Sequence, residues 1–296
     1  MIYNYLKLIR VSHWIKNLFV FVPLIFSKHL FEFDYSYYVT LAFIAFCICS
    51  GIIYIFNDIF DIEYDKFHPA KKYRPLPSEK ISIKNAIILM FILSIVIIPI
   101  LLNLSLKFFV VIFAYFIINI FYTLFLKKIV IVDIITIAIG FMLRVLGGAA
   151  VVNIYISKWL ILSTIFISLF LAVMKRRSEL VSNNNEIITR KVLENYSIDF
   201  INQVGAIVAA GVIICYSLYS VDARTKVYFG TENLVYTTLF VIFGIFRYMY
   251  LVYLKQKGES SIEMIFKDIP LLISVALYII SVVAIIYGKF NLNIFN

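Results

Sequence analysis

The stretch Asn57-Asp58-Ile59-Phe60-Asp61-Ile62-Glu63-Tyr64-Asp65 sets carboxylates at i, i+3 and i+7. On a helix, Asp58, Asp61 and Asp65 fall on one face. Carboxylates grouped at an apolar boundary repel one another and resist desolvation, and a divalent cation relieves both problems. Magnesium takes a few carboxylates and keeps positions for water and phosphate oxygens. The expected ligands of a Mg²⁺–diphosphate site are therefore Asn57, Asp58, Asp61 and Asp65. The bland alternative is a solvated acidic helix end. Glu63 falls off the shared face and reads as ordinary surface.

The next residues, His68-Pro69-Ala70-Lys71-Lys72-Tyr73-Arg74-Pro75, supply the opposite charge. Lys71 and Arg74 suit phosphate oxygens, the arginine in bidentate fashion. Prolines at 69, 75 and 77 stiffen the loop. Basic residues beside a membrane also retain loops in the cytoplasm, which is the competing explanation.

Further candidates lie along the chain. Tyr122 and Lys127 end an apolar run and could donate to phosphate; an aromatic belt residue with a snorkelling lysine is the plainer reading. Arg144 sits well inside an apolar segment. Such an arginine points to a polar cavity or an anionic partner, with an ion pair to Asp133 as the structural alternative. Lys175-Arg176-Arg177-Ser178-Glu179 closes another apolar run, and Lys175 and Arg176 could clamp a second phosphate. Lys16 and Asn17 follow Trp14 and are placed to face the same cavity. Arg247 and Asp268 are further charged residues of interest. A Walker A loop, GxGxxG, HExxH, a CxxC pair and an evident Ser/His/Asp set are all missing.

These residues are carried by an apolar chain. Of 296 residues, 63% are hydrophobic and 15% charged, with a mean hydropathy of +0.97. A soluble domain runs nearer 45–50% apolar and about 25% charged, so soluble, disordered and nucleic-acid-binding proteins are excluded. The net charge of +10 reads as basic loops held at one membrane face. Cys47, Cys49 and Cys215 all sit in apolar runs and read as small buried hydrophobes.

Nine apolar segments are expected to cross the membrane as helices, at about 14–31, 36–57, 85–103, 107–126, 129–152, 158–174, 203–221, 234–254 and 270–288. Lys16 and Pro23 interrupt the first. The residues before it lack the compact apolar core and small-residue cleavage site of a secretory signal, so that span is expected to be retained. With nine spans, 19 of the 27 Lys and Arg fall on the side holding the N-terminus and six on the other, which places the former in the cytoplasm. Two long polar loops, 58–84 and 175–202, cap that cytoplasmic face. No linker divides the chain, so residues 1–296 are expected to form one all-α integral-membrane domain.

At this point a resemblance enters. Residues 57–65 fit NDxxDxxxD, the first aspartate-rich motif of the UbiA-type intramembrane prenyltransferase superfamily. Nine helices around a central cavity, with catalytic loops after helices 2 and 6, match that fold. The second aspartate-rich motif of typical members is missing; residues 175–179 and 196–200 stand in its place. Residues 12–23, 61–75, 122–127, 141–148, 175–179, 243–248 and 267–271, with Asp133, resemble the decaprenyl-phosphate phosphoribosyltransferase subgroup, although position 70 is Ala where a small hydroxyl residue is expected.

The resemblance implies transfer of 5-phosphoribose from 5-phosphoribosyl 1-diphosphate (PRPP) to a polyprenyl phosphate, releasing diphosphate with inversion at ribose C1. It implies Mg²⁺ on Asn57, Asp58, Asp61 and Asp65, with the three aspartates catalytic. Lys16, Asn17, Lys71, Arg74, Tyr122, Lys127, Arg144, Lys175 and Arg176 would bind the phosphates of the two substrates. An inner (plasma) membrane location and room for a homo-oligomer are expected with it, and the charge distribution leaves no nucleic-acid partner expected. The rival readings are prenyl transfer from a prenyl diphosphate to an aromatic or other acceptor, and a lipid-phosphate transporter.

Overall fold

The computed structural model describes residues 2–67, 71–182, 193, 195–254, 264 and 267–288. His68, Pro69 and Ala70, much of the 175–202 loop and the basic residues Arg190, Lys191, Lys255, Lys257 and Lys289 lie outside them. The described residues form helices and no strand. Eight helices are long and apolar enough to cross a membrane, or nine if the bent pair 2–8 and 11–25 counts as one span.

Contacts group the chain into two compact units, Met1–Tyr155 and Ile156–Asn296. The first begins with α1 (Ile2–Leu8), a 3₁₀ segment (Val11–Phe21) and α2 (Val22–Ile25). The expected segment 14–31 thus starts earlier and ends sooner, with a bend of 49° after α1. Arg10 stands at the bend in left-handed backbone (φ 52°), and Pro23 fits the first turn of α2. Then come α3 (Phe33–Phe60), α4 (Ile62–Phe67), α5 (Ile83–Leu102), α6 (Leu106–Leu124) and α7 (Val132–Val151).

Polar caps start the apolar helices. Ser82 Oγ accepts from the Asn85 N–H and Ser105 Oγ from the Phe108 N–H. Each cap satisfies a backbone donor that lipid would leave unpaired. The core of this unit forms where Phe46 meets Phe108 and Tyr115 edge-on, beside buried Val20 and Leu143. By contrast α5 presents Phe91, Ile95 and Leu102 outward, a face suited to lipid rather than water.

The second unit holds α8 (Lys158–Ser182), α9 (Ile198–Val221), α10 (Ala223–Phe229), α11 (Thr238–Tyr253) and α12 (Ile269–Tyr287). Here one expectation is corrected. Residues 175–179 are not in a loop; they continue α8 to Ser182. The apolar run ends near 174, but Lys175, Arg176 and Glu179 are helix formers at i, i+3 and i+4 spacing, so the helix outlasts its hydrophobic stretch.

Candidate active site

The aspartates straddle a joint between two helices rather than lying on one. α3 ends at Phe60 and Asp61 caps it with non-helical ψ (4°) before α4 resumes at Ile62. The Asp61 N–H still donates to Asn57 O at 3.0 Å and the Asp65 N–H to Asp61 O at 2.8 Å. The four-residue backbone spacing therefore survives the joint. Asp58 and Asp65 are buried; Asp61 is partly exposed.

Cations surround all three. Asp58 Oδ1 accepts from Arg10 Nη2 and, at 3.3 Å, from Arg74 Nη1. That same Arg74 nitrogen donates to Asp65 Oδ2 at 2.5 Å, and Lys71 Nζ lies 3.7 Å from Asp65 Oδ1. Asp61 accepts from Lys127 Nζ at 2.6 Å and from Asn57 Nδ2 at 3.1 Å. Thr123 Oγ1 donates to Asn57 Oδ1 at 3.3 Å, tying α6 to the motif. Glu63 pairs with Lys66 on the surface, as expected. Burial pulls Arg74 below its ordinary pKa and the nearby Arg10 charge adds to this, while Asp58 and Asp65 oppose both. Arginine stays protonated under such shifts.

A second cluster lies on the same unit. Arg144 donates from Nε to Asn17 Oδ1 (2.7 Å), from Nη1 to Gly140 O (2.8 Å) and from Nη2 to Tyr115 OH (2.7 Å). Its guanidinium stands 4.7 Å from the Tyr115 ring centre and 5.3 Å from that of Phe141. Arg144 and Asn17, 127 residues apart, are thus brought together, and the hydrogen bonds of Arg144 go to neutral acceptors rather than to Asp133. Lys16 and Tyr122 are half-buried, on the 3₁₀ segment and on α6 respectively.

Lys175 and Arg176 belong to the second unit. Both face Glu179, Lys175 at 3.9 Å, and the Arg176 side chain is fully buried. Arg177 donates to Asn202 Oδ1 (2.8 Å) and Val252 O (2.7 Å) and stacks on Tyr253, joining α8 to α9 and α11. Arg247 and Asp268 form a bidentate pair at 3.0 and 2.9 Å.

The UbiA prenyltransferase family profile matches residues 19–184, more than half of the chain. The chain belongs to that family. It is 31% identical over 220 residues to a decaprenyl-phosphate phosphoribosyltransferase of Mycolicibacterium smegmatis, covering 73% of this chain and 69% of the relative. It is 30% identical over 226 residues to the protein of that name in Corynebacterium glutamicum, covering 73% and 67%. A UbiA homologue of Archaeoglobus fulgidus, solved with GPP and Mg²⁺, superposes with a TM-score of 0.71 at 16% identity, covering 96% of this chain and 99% of that one. The apolar helices and the UbiA fold make this an integral membrane protein.

UbiA relatives hold Mg²⁺, so the fit of these residues to that ion matters. Among the described residues no three His, Cys, Asp or Glu are grouped closely enough to grip a metal together. The reason is visible in the contacts: cations hold the aspartates. The donor set itself is all oxygen, as magnesium requires, and Asp58 and Asp65 reach toward a single point, where Arg74 Nη1 now stands. The residues fit the ion in chemistry.

Four members of these clusters escaped the sequence reading: Arg10, Thr123, Tyr115 and Ser50, whose Oγ lies 3.2 Å from Tyr115 OH. For α6 a signal existed. Tyr115, Asn119 and Thr123 recur every fourth residue, a polar stripe on an apolar helix.

Proposed function

We propose that this UbiA-family protein transfers 5-phosphoribose from PRPP to a polyprenyl phosphate, releasing diphosphate and inverting ribose C1. The observation that carries the reading is the charge on α8. The positions where typical relatives place a second acidic cluster hold Lys175, Arg176 and Arg177, and Glu179 is already paired. Such a helix suits a second phosphate-bearing substrate better than a second metal. The named relatives, at 31% and 30% identity, support the same substrate pair.

The residues would divide the work as follows. Asn57, Asp58, Asp61 and Asp65 hold Mg²⁺, whose charge offsets that developing on the diphosphate leaving group. Lys71, Arg74, Tyr122 and Lys127 bind diphosphate oxygens. Lys16, Asn17, Arg144, Lys175 and Arg176 serve the lipid phosphate and the 5-phosphate. A lipid phosphate is already an anionic nucleophile, so no strong base is needed. Positioning and charge neutralisation carry the rate. The whole chain acts as one domain in the inner membrane, with the acidic motif on the cytoplasmic side, as the 19-to-6 split of basic residues supports.

Purified protein in vesicles, given labelled PRPP and a polyprenyl phosphate, is expected to make a labelled lipid and free diphosphate, and chelation of divalent metal should stop both. The second reading, prenyl transfer, is favoured by the family profile. Under it, label would move instead from a prenyl diphosphate to an acceptor, with PRPP untouched. Lipid movement between leaflets without a covalent product would indicate transport.

A further inference from the structure

Arg10 joins the acidic motif from a distant part of the chain, through its ion pair with Asp58. It stands in left-handed backbone where α1 gives way to the 3₁₀ segment, so its position is fixed by the bend. Its guanidinium lies 4.7 Å from the Tyr54 ring centre, one turn of α3 before Asp58, and donates to Asp58 Oδ1. Among the described residues, Asp58 is the carboxylate that Arg10 pairs with. An arginine carries five N–H groups, so the same side chain can hold a second anion beside that carboxylate.

Charge leads to the same place. Asp58, Asp61 and Asp65 are matched by Arg10, Lys71, Arg74 and Lys127, and both guanidiniums crowd the same oxygen of Asp58. A divalent cation arriving alone would meet two arginines at close range, a strongly unfavourable addition in a partly buried site. A diphosphate arriving alone would meet three carboxylates. Together the two ligands relieve each other: the carboxylates turn to metal and the arginines to phosphate oxygens.

We propose that Arg10 is a diphosphate-binding residue held in reserve on Asp58, and that it makes metal and diphosphate bind as a coupled pair. The inference rests on the reading of the acidic motif as a metal–diphosphate site. Coupling of this kind is reciprocal: each ligand raises the affinity of the other by the same factor.

Manganese serves as the probe, its binding followed by electron paramagnetic resonance in detergent, with and without inorganic diphosphate and corrected for the complex the two form in solution. The parent is expected to bind Mn²⁺ weakly alone and more tightly with diphosphate. Arg10→Gln should bind Mn²⁺ alone about tenfold more tightly than the parent and lose most of the enhancement by diphosphate, while Arg10→Lys should behave between the two. A purely structural Arg10 gives the opposite sign, because loosening Asp58 weakens metal binding. Unchanged or weaker Mn²⁺ affinity in a folded Arg10→Gln protein overturns the proposal and leaves the site assignment standing, provided Asp58→Asn abolishes binding. Failure of the parent to bind Mn²⁺ with or without diphosphate overturns both.

Discussion

Asp61→Asn is expected to lower turnover by about a thousandfold while the protein stays folded. The prediction is clean because Asp61 is the least buried of the three aspartates, with a side chain 26% exposed. Asparagine keeps the shape, its amide oxygen can still accept from Lys127 Nζ, and both side chains keep some contact with solvent, 19% for Lys127 and 26% for Asp61. What disappears is a negative charge that pairs with Lys127 and, on the proposed function, a hard oxygen ligand to the metal. Asp58→Asn should be as severe in activity but less innocent in stability. Asp58 is buried and accepts from two arginines, so the neutral side chain leaves Arg10 without a carboxylate partner among the described residues. Turnover of labelled PRPP, read beside thermal stability in detergent, separates the two effects. Full activity in both variants would sink the metal assignment.

The paired state of the site explains how such a charge density tolerates the membrane boundary. Three carboxylates without cations would be costly to bury, and four cations without carboxylates equally so. Interleaved, they satisfy each other until substrate arrives. The same interleaving explains why Lys71, Arg74 and Lys127 sit so close to the aspartates in space although 66 residues separate Lys127 from Asp61.

The sequence revealed the site better than its mechanics. Asp58, Asp61 and Asp65 were legible because carboxylates are rare in an apolar chain and their spacing marks a face. The joint at Asp61 was not legible, since the backbone hydrogen bonds continue through it and no glycine or proline signals it. Segments of about 20 apolar residues announced the spans, but helix ends tracked charge pairs as well as hydropathy. That is why residues 175–179, counted as loop, are helix. Arg10 was hidden because a lone arginine near the N-terminus reads as topogenic charge; only the fold shows it reaching Asp58 across 48 residues. The pairing of Arg144 with Asn17 was equally invisible, a contact of two residues each noticed separately.

Gly148→Ala is the stability counterpart of the aspartate variants. A Cβ at this position would lie 1.9 Å from Val20 O and 2.8 Å from Val20 C. Backbone cannot swing aside as a side chain can, so α7 and the 3₁₀ segment must separate, which costs at least about 3 kcal/mol. The apparent melting temperature should fall by roughly 5–10 °C. Gly147→Ala meets the ring of Phe46 instead, at 2.6 Å, and should be milder; Gly244→Ala meets nothing within 4 Å and should be neutral or slightly stabilising. Function is coupled to the same contact. Gly148 lies one turn beyond Arg144 on α7, and Val20 lies one 3₁₀ turn beyond Asn17, so the close approach and the Arg144–Asn17 hydrogen bond are stacked rungs between the same two elements. Forcing the upper rung apart lengthens the lower one. On the proposed function, Gly148→Ala should therefore raise KM for the substrate whose phosphate Arg144 and Asn17 hold, the lipid phosphate or PRPP, even at temperatures where the protein remains folded. A variant as stable and as active as the parent would show that the 3₁₀ segment is not held to α7 in this way.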